Sequence, residues 1–303
     1  MTVHDLTGTA SIPAHTQGIS QLEPELCPNC SAPLAGSYCA RCGQKRPHPD
    51  LTLRELLQET TEELVHWEGK VPSTIKTLFL EPGRLTLDFL AGRRARWLPP
   101  LRLYLICSVA FFVSGPLLES ITHRSARQVA KITLSAPDGS KTLTPEARRE
   151  IAEGLPGRLF GPERLERAAA NSAQLNRAIT SAYPKAMFVL LPLFALLTNI
   201  AWRRSLPRYP AHLYLSLHLH AALFGALTIA TLATALSSSN TFATAVGLAA
   251  LAYILGYFLI ALHRVFRDSW TKTLAKAIAV GAVYSVFLIA VSLAMLGYAI
   301  ATM

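Results

Sequence analysis

Between residues 184 and 303 this chain holds no Glu, a single Asp (Asp268) and only eight Lys or Arg residues. Water is a poor solvent for such a stretch, because a soluble domain of this length interleaves polar and apolar positions. Four apolar runs lie in it, near 184–202, 211–236, 241–263 and 274–302, and a fifth precedes it at 99–118. A helix rises about 1.5 Å per residue, so each run is long enough to cross a hydrocarbon core of about 30 Å. Pro184 is expected to open the second run and Pro192 to kink it. The last run is slightly long, which predicts tilt.

Charge is concentrated elsewhere. The 303 residues carry a formal net charge of +10, yet only 16% are Asp, Glu, Lys or Arg, against about 25% in an average soluble domain. Basic residues sit beside the apolar runs: Arg93, Arg94, Arg96 and Arg102, then Arg203, Arg204 and Arg208, then Arg264, Arg267, Lys272 and Lys276. That placement follows the positive-inside rule, and it favours lipid headgroups over nucleic acid as the partner of the positive charge. It predicts a cytoplasmic N-terminus, inside loops at 201–210 and 264–276, an uncharged outside hairpin at Ser237–Asn240 and an outside C-terminus. The N-terminus shows no basic start followed by an apolar stretch and a small-residue cleavage site, so the first span is expected to direct insertion.

The soluble segments read in order. Residues 1–24, rich in Thr, Ser, Pro and Gly, are expected to form a disordered tail. Residues 51–98 carry short amphipathic patterns: Leu53, Leu56, Leu57 and Leu64, then Val71, Ile75, Leu78 and Phe79, then Leu85, Leu87, Phe89 and Leu90. They are too short and too charged to span, so helices at the cytoplasmic interface are predicted. Residues 119–183 form an extracytoplasmic loop with an exposed helix over Leu155–Arg177, leaving 184–303 for spans two to five.

One motif carries chemistry. Cys27-Pro28-Asn29-Cys30 and Cys39-Ala40-Arg41-Cys42 are C-x-x-C turns with eight residues between them. Four such sulfurs suit a tetrahedral zinc ion, and four protein ligands close the site, which predicts structural Zn²⁺ at Cys27, Cys30, Cys39 and Cys42. A redox dithiol pair is the alternative, but the thioredoxin-like unit that usually carries one is missing. A module spanning only 25–46 has almost no apolar core, so metal binding would supply its folding energy.

Cys39 to Gln44 is followed by a helix, by Pro82-Gly83, Gly92-Arg93-Arg94 and Pro99-Pro100, by Tyr209, His212 and Tyr214, and by His263-Arg264-Val265-Phe266. In these features the chain resembles an uncharacterised bacterial multi-pass membrane family with an N-terminal zinc ribbon, a domain of unknown function. The resemblance covers about residues 25–115 and 185–295 and leaves 120–183 outside. It implies an inner-membrane location and no established activity.

Other polar groups carry weaker signals. His212, His218, His220 and His263 fall in or beside the apolar runs, where ionisable groups are functional candidates. His218 and His220 are two apart and point to different sides of a helix, so interhelical hydrogen bonds are favoured over a second metal site. Arg93, Arg94 and Arg96 with Trp97 read as an interfacial anchor, with Asp88 and Asp268 as acidic partners for the basic clusters. Cys107 reads as a small core residue, and Ala277, Gly281 and Ser285 as a small-residue packing face. No phosphate loop, zinc-protease or serine-hydrolase motif is present.

The expected architecture is an all-α membrane protein: about five transmembrane helices, interfacial amphipathic helices and an N-terminal cytoplasmic zinc ribbon. The expected role is non-enzymatic anchoring or assembly, with a bilayer and a cytoplasmic protein as partners and no nucleic acid. A transporter with a path past His218 and His220, and a lipid-directed enzyme using Arg93–Arg96, are the alternatives.

Overall fold

The computed structural model describes residues 25–46, 69–122 and 161–302, apart from short gaps at 162, 165–166, 169–170 and 238. The predicted 1–24 tail, the amphipathic pattern of Leu53, Leu56, Leu57 and Leu64, and most of the 119–183 loop lie outside the described residues. The chain divides into two compact units, one ending at Arg46 and one beginning at Pro47.

In the larger unit the helices are α1 (Lys70–Leu80), α2 (Arg84–Leu90), α3 (Pro100–Thr122), α4 (Ser172–Trp202), α5 (Tyr209–Ala235), α6 (Asn240–Phe266) and α7 (Trp270–Ala301). Five of them contain segments long and apolar enough to cross a membrane: Pro100–Leu118, Arg177–Trp202, Tyr209–Ala235, Asn240–Phe266 and Trp270–Ala301. Each coincides with one of the five apolar runs.

Helix α5 is the centre. Every residue from Ala211 to Ala222 is buried, because α2, α3, α4 and α6 all pack on it. A helix apolar on all sides has to be enclosed in this way. Helices α6 and α7 bury far less: Tyr257, Ala261, Leu262 and Phe266 on one, Thr273, Val280, Ala299 and Ile300 on the other. Their remaining surface presents Leu248, Leu255, Ile278, Val286, Ile289 and Leu293 outward. In water so broad an apolar surface would drive association; against acyl chains it is the expected outer face of a bundle.

Helix α4 starts earlier than the second apolar run. Pro184 lies inside it, as does Pro192, where the sequence suggests Pro184 as the first residue. Membrane helices tolerate internal proline because neighbouring groups can satisfy the freed carbonyls. The described end of the predicted 155–177 helix is continuous with α4, and Leu175 and Ile179 are buried against Ala299 and Ile300 of α7. The polar side stays exposed, with Glu163, Arg164, Arg167, Asn171, Gln174 and Arg177 outward, while Ala168 and Leu175 are buried.

Helices α1 and α2 form a hairpin whose apolar side meets protein. Gly83 turns the chain with φ +79°, and a Cβ there would sit 3.2 Å from the Ala261 carbonyl oxygen and 3.3 Å from Val265 Cγ2. Only glycine combines this φ with so close an approach. Phe79 covers Gly225, where an added methyl would collide with the ring. Tyr253 donates its hydroxyl to the Phe79 carbonyl (2.9 Å), and Arg264 Nη1 donates to the Pro82 carbonyl (2.9 Å). Thr86 Oγ1 pairs with His218 Nδ1 at 3.0 Å. His218 lies nine residues past Tyr209, about 14 Å along α5, so the hairpin reaches well down the side of the bundle.

Candidate metal centre and the buried polar contacts

The small unit is built from one pattern used twice, twelve residues apart. Cys27 donates its N–H to the Ala32 carbonyl (2.8 Å) and accepts at its own carbonyl from Ser31 N–H (2.8 Å). Cys39 repeats both bonds, donating to Gln44 (2.8 Å) and accepting from Gly43 (2.9 Å). The outer bonds repeat as well: Leu34 N–H to the Glu25 carbonyl (2.7 Å) and Arg46 N–H to the Ser37 carbonyl (2.8 Å). Isolated antiparallel bridges join Leu26 to Pro33 and Tyr38 to Lys45. Each turn needs one left-handed residue to close, Ser31 (φ 58°) in the first and Gly43 (φ 71°) in the second.

This repeat brings the four predicted cysteines together. Their sulfurs all lie within 4.8 Å of one another, with Cys27 Sγ 3.6 Å from Cys42 Sγ and Cys30 Sγ 3.5 Å from Cys39 Sγ. A disulfide would hold two sulfurs at about 2.05 Å, and all four cysteines are free. Four sulfurs around one ion at about 2.3 Å stand about 3.8 Å apart. The four side chains therefore fit a single tetrahedral metal ion.

The backbone prepares the thiols for that role. N–H groups of Cys42 and Arg41 lower the Cys39 thiol to about 6. Burial works against ionisation of Cys42, but the Gln44 N–H and the Asn29 side chain outweigh it and lower that thiol too. The Ala32 amide favours a thiolate at Cys30, yet desolvation and the crowding thiols raise it to about 12. Four sulfurs this close cannot all carry charge without a cation among them, so the cluster is suited to hold a metal ion.

In the larger unit the acidic groups pair as the sequence suggests. Asp88 is fully buried. Its Oδ1 accepts from Arg93 Nε at 3.0 Å and Nη2 at 2.6 Å, and its Oδ2 accepts from Trp97 Nε1 at 2.8 Å. Arg84 Nε approaches Oδ2 at 3.6 Å. Burial alone would raise this carboxyl, but the Arg93 and Trp97 hydrogen bonds and the two guanidinium charges hold it below its ordinary value. Arg93 and Trp97, expected at the interface as an anchor, are thus turned onto Asp88. Asp268 accepts from Lys276 Nζ (2.8 Å) and Trp202 Nε1 (3.0 Å).

The histidines act as separate links between elements. His212 bonds the Leu206 carbonyl through Nε2 (2.8 Å) and Thr198 Oγ1 through Nδ1 (3.2 Å). His220 reaches the Ser216 carbonyl (2.8 Å) and the Tyr284 hydroxyl (3.2 Å). His218 meets Thr86 and packs 5.6 Å from the Phe89 ring. His218 and His220 face different partners and share no ligand. Thr86 and Tyr284 carry no sequence signal of this role, because an isolated hydroxyl in an apolar pattern does not reveal its partner. Cys107 is buried in the main core.

No curated protein and no solved structure matches this chain. Residues 68–112, which hold α1, α2, the Asp88–Arg93–Trp97 contacts and the start of α3, match the family described as a protein of unknown function, DUF3667.

Proposed function

We propose that this chain is a membrane-anchored, non-enzymatic assembly protein whose N-terminal metal module docks a soluble protein. The observation that carries the proposal is the four-thiol cluster in a unit that buries Leu34 against its cysteines but leaves Leu26 and Tyr38 facing outward. Leu26 and Tyr38, twelve residues apart, are 56% and 60% exposed. A module that spends its sequence on holding one ion, and leaves Leu26 and Tyr38 uncovered, suits recognition better than chemistry. Zinc is the ion that four cysteine ligands favour. The four ligands fill its tetrahedron and leave no position for a substrate.

The membrane arrangement follows from charge. Arg203, Arg204 and Arg208 lie between α4 and α5, and Arg267 and Lys272 lie where α6 gives way to α7. The Ser-rich turn between α5 and α6 has no charge. By the positive-inside rule the N-terminus and the metal module face the cytoplasm and the C-terminus the outside; the inner membrane of a bacterium is what the family resemblance implies.

The test uses the full chain in its native membrane, with a photocrosslinking residue in place of Tyr38. A discrete crosslink to a soluble cytoplasmic protein is expected, lost in Cys27→Ser while carbonate extraction shows both chains still inserted. A crosslink unaffected by Cys27→Ser, or none at all in the parent chain, contradicts the proposal.

A further inference from the structure

Where α6 ends and α7 begins, Ile260, His263, Arg264, Arg267 and Trp270 line an open cleft of about 450 Å³. Two guanidinium groups three residues apart border one space, and no carboxylate is among the lining residues. The nearest acid in sequence, Asp268, is already engaged by Lys276 and Trp202. Both arginines are exposed, so their charges are open to an anion arriving from outside.

The backbone adds to the case. Arg267 caps α6 in a left-handed conformation, φ 54°, where helices ordinarily place glycine. A left-handed residue with a side chain costs free energy, and such a residue points to a use for what it carries. Arg264 spends Nη1 on the Pro82 carbonyl, and a guanidinium has five N–H donors to offer. His263 lies flat on Trp270, with ring centroids 3.8 Å apart and 17° between planes. Its Nδ1 is buried without a hydrogen-bond partner among the described residues. Trp270 is also the first residue of α7, whose opening turn offers unpaired N–H groups and the positive end of the helix dipole. The Ser269 side chain does not cap it.

We propose that this cleft binds a phosphate group, gripped by Arg264 and Arg267 at the mouth of α7 and flanked by the Trp270–His263 stack. Arginine forks match phosphate oxygens in geometry and charge. The cleft's volume lies in the ordinary range for small-ligand sites. Under the membrane arrangement proposed above, on which the choice of source rests, the cleft sits at headgroup level. Exposed Ile260, Leu274 and Ile278 then continue it with an apolar wall suited to an acyl chain. That makes an anionic phospholipid the natural source of the phosphate, with a free phosphate ion as the other.

The experiment is a thermal-shift titration of the full chain in neutral detergent. Three probes are compared: short-chain phosphatidylglycerol, short-chain phosphatidylcholine and inorganic phosphate. Ligand that binds only the folded chain raises its melting temperature. Stabilisation by phosphatidylglycerol well beyond phosphatidylcholine supports a lipid phosphate held by charge; equal stabilisation by inorganic phosphate supports the same site with a soluble ligand. Arg267→Gln is expected to weaken the effective probe about tenfold, while Arg204→Gln, an equal change of charge on an exposed loop, leaves it unchanged. No stabilisation by either anion, or equal loss in both variants, overturns the site. The membrane arrangement is read independently by whether the chain needs detergent to stay dispersed.

Discussion

Ser31 and Gly43 occupy the same left-handed position in two matching cysteine turns, with φ 58° and 71°. Each donates its N–H to the carbonyl of the cysteine that opens its own turn. One position carries the residue suited to that conformation and the other does not. For a residue with a Cβ the left-handed region costs about 1–2 kcal/mol. Gly43→Ser is therefore expected to weaken metal retention several-fold, and Ser31→Gly to strengthen it by a similar or smaller factor. Competition with a chelator on the full chain in detergent measures both.

Asp88 is buried between Arg93, Arg84 and Trp97, so Asp88→Asn leaves the Arg93 guanidinium without its counter-charge. Arg93 is 38% exposed, which reduces the cost; a loss of about 1–3 kcal/mol is expected, read as a lower melting temperature. The carboxyl's folded pKa lies below its unfolded value of about 3.9. Its contribution is therefore complete above that pH and is lost as pH falls through the lower folded value. Between pH 5 and 8 Asp88 gives no pH dependence of stability. Melting curves of the parent chain and Asp88→Asn should run parallel there and converge under stronger acid.

Phe79 lies directly over Gly225 of α5. Gly225→Ala forces a methyl into the ring and is expected to cost about 1–3 kcal/mol. Phe79→Ala creates a cavity and also destabilises. Combined, they should cost clearly less than the sum, because each removes the other's problem. Additive losses would mean that the α1–α2 hairpin does not pack on α5.

Reporter fusions test orientation. A fusion after Arg208 should report the cytoplasm, and fusions after Asn240 and Met303 the opposite side. Reversal at any one site removes the charge argument for the inner placement of the metal module.

The spans were legible because lipid imposes a length and a near-absence of charge, and both are written in runs such as 211–236 and 241–263. The four cysteines were legible because a tetrahedral ion needs two close pairs. The surroundings were less so. Leu78 and Phe79 announce an amphipathic face, but the pattern is the same whether lipid or α5 covers it. Pro184 reads as a helix start, a rule from water that a packed membrane helix relaxes. Asp88 was legible as a partner for the basic cluster, but that Trp97 joins Arg93 on it was not, since the chain after α2 folds back on itself to bring them together. Ser31 gave no sign of its left-handed backbone, which became visible only when its hydrogen bond was matched to that of Gly43.

The most direct test of the metal centre is elemental analysis of the full chain, purified in detergent without added metal. One zinc per chain is expected, falling to near zero in Cys27→Ser and in Cys39→Ser. A chain that stays folded over residues 25–46 with no bound metal, or that carries a different ion in zinc's place, would contradict the account.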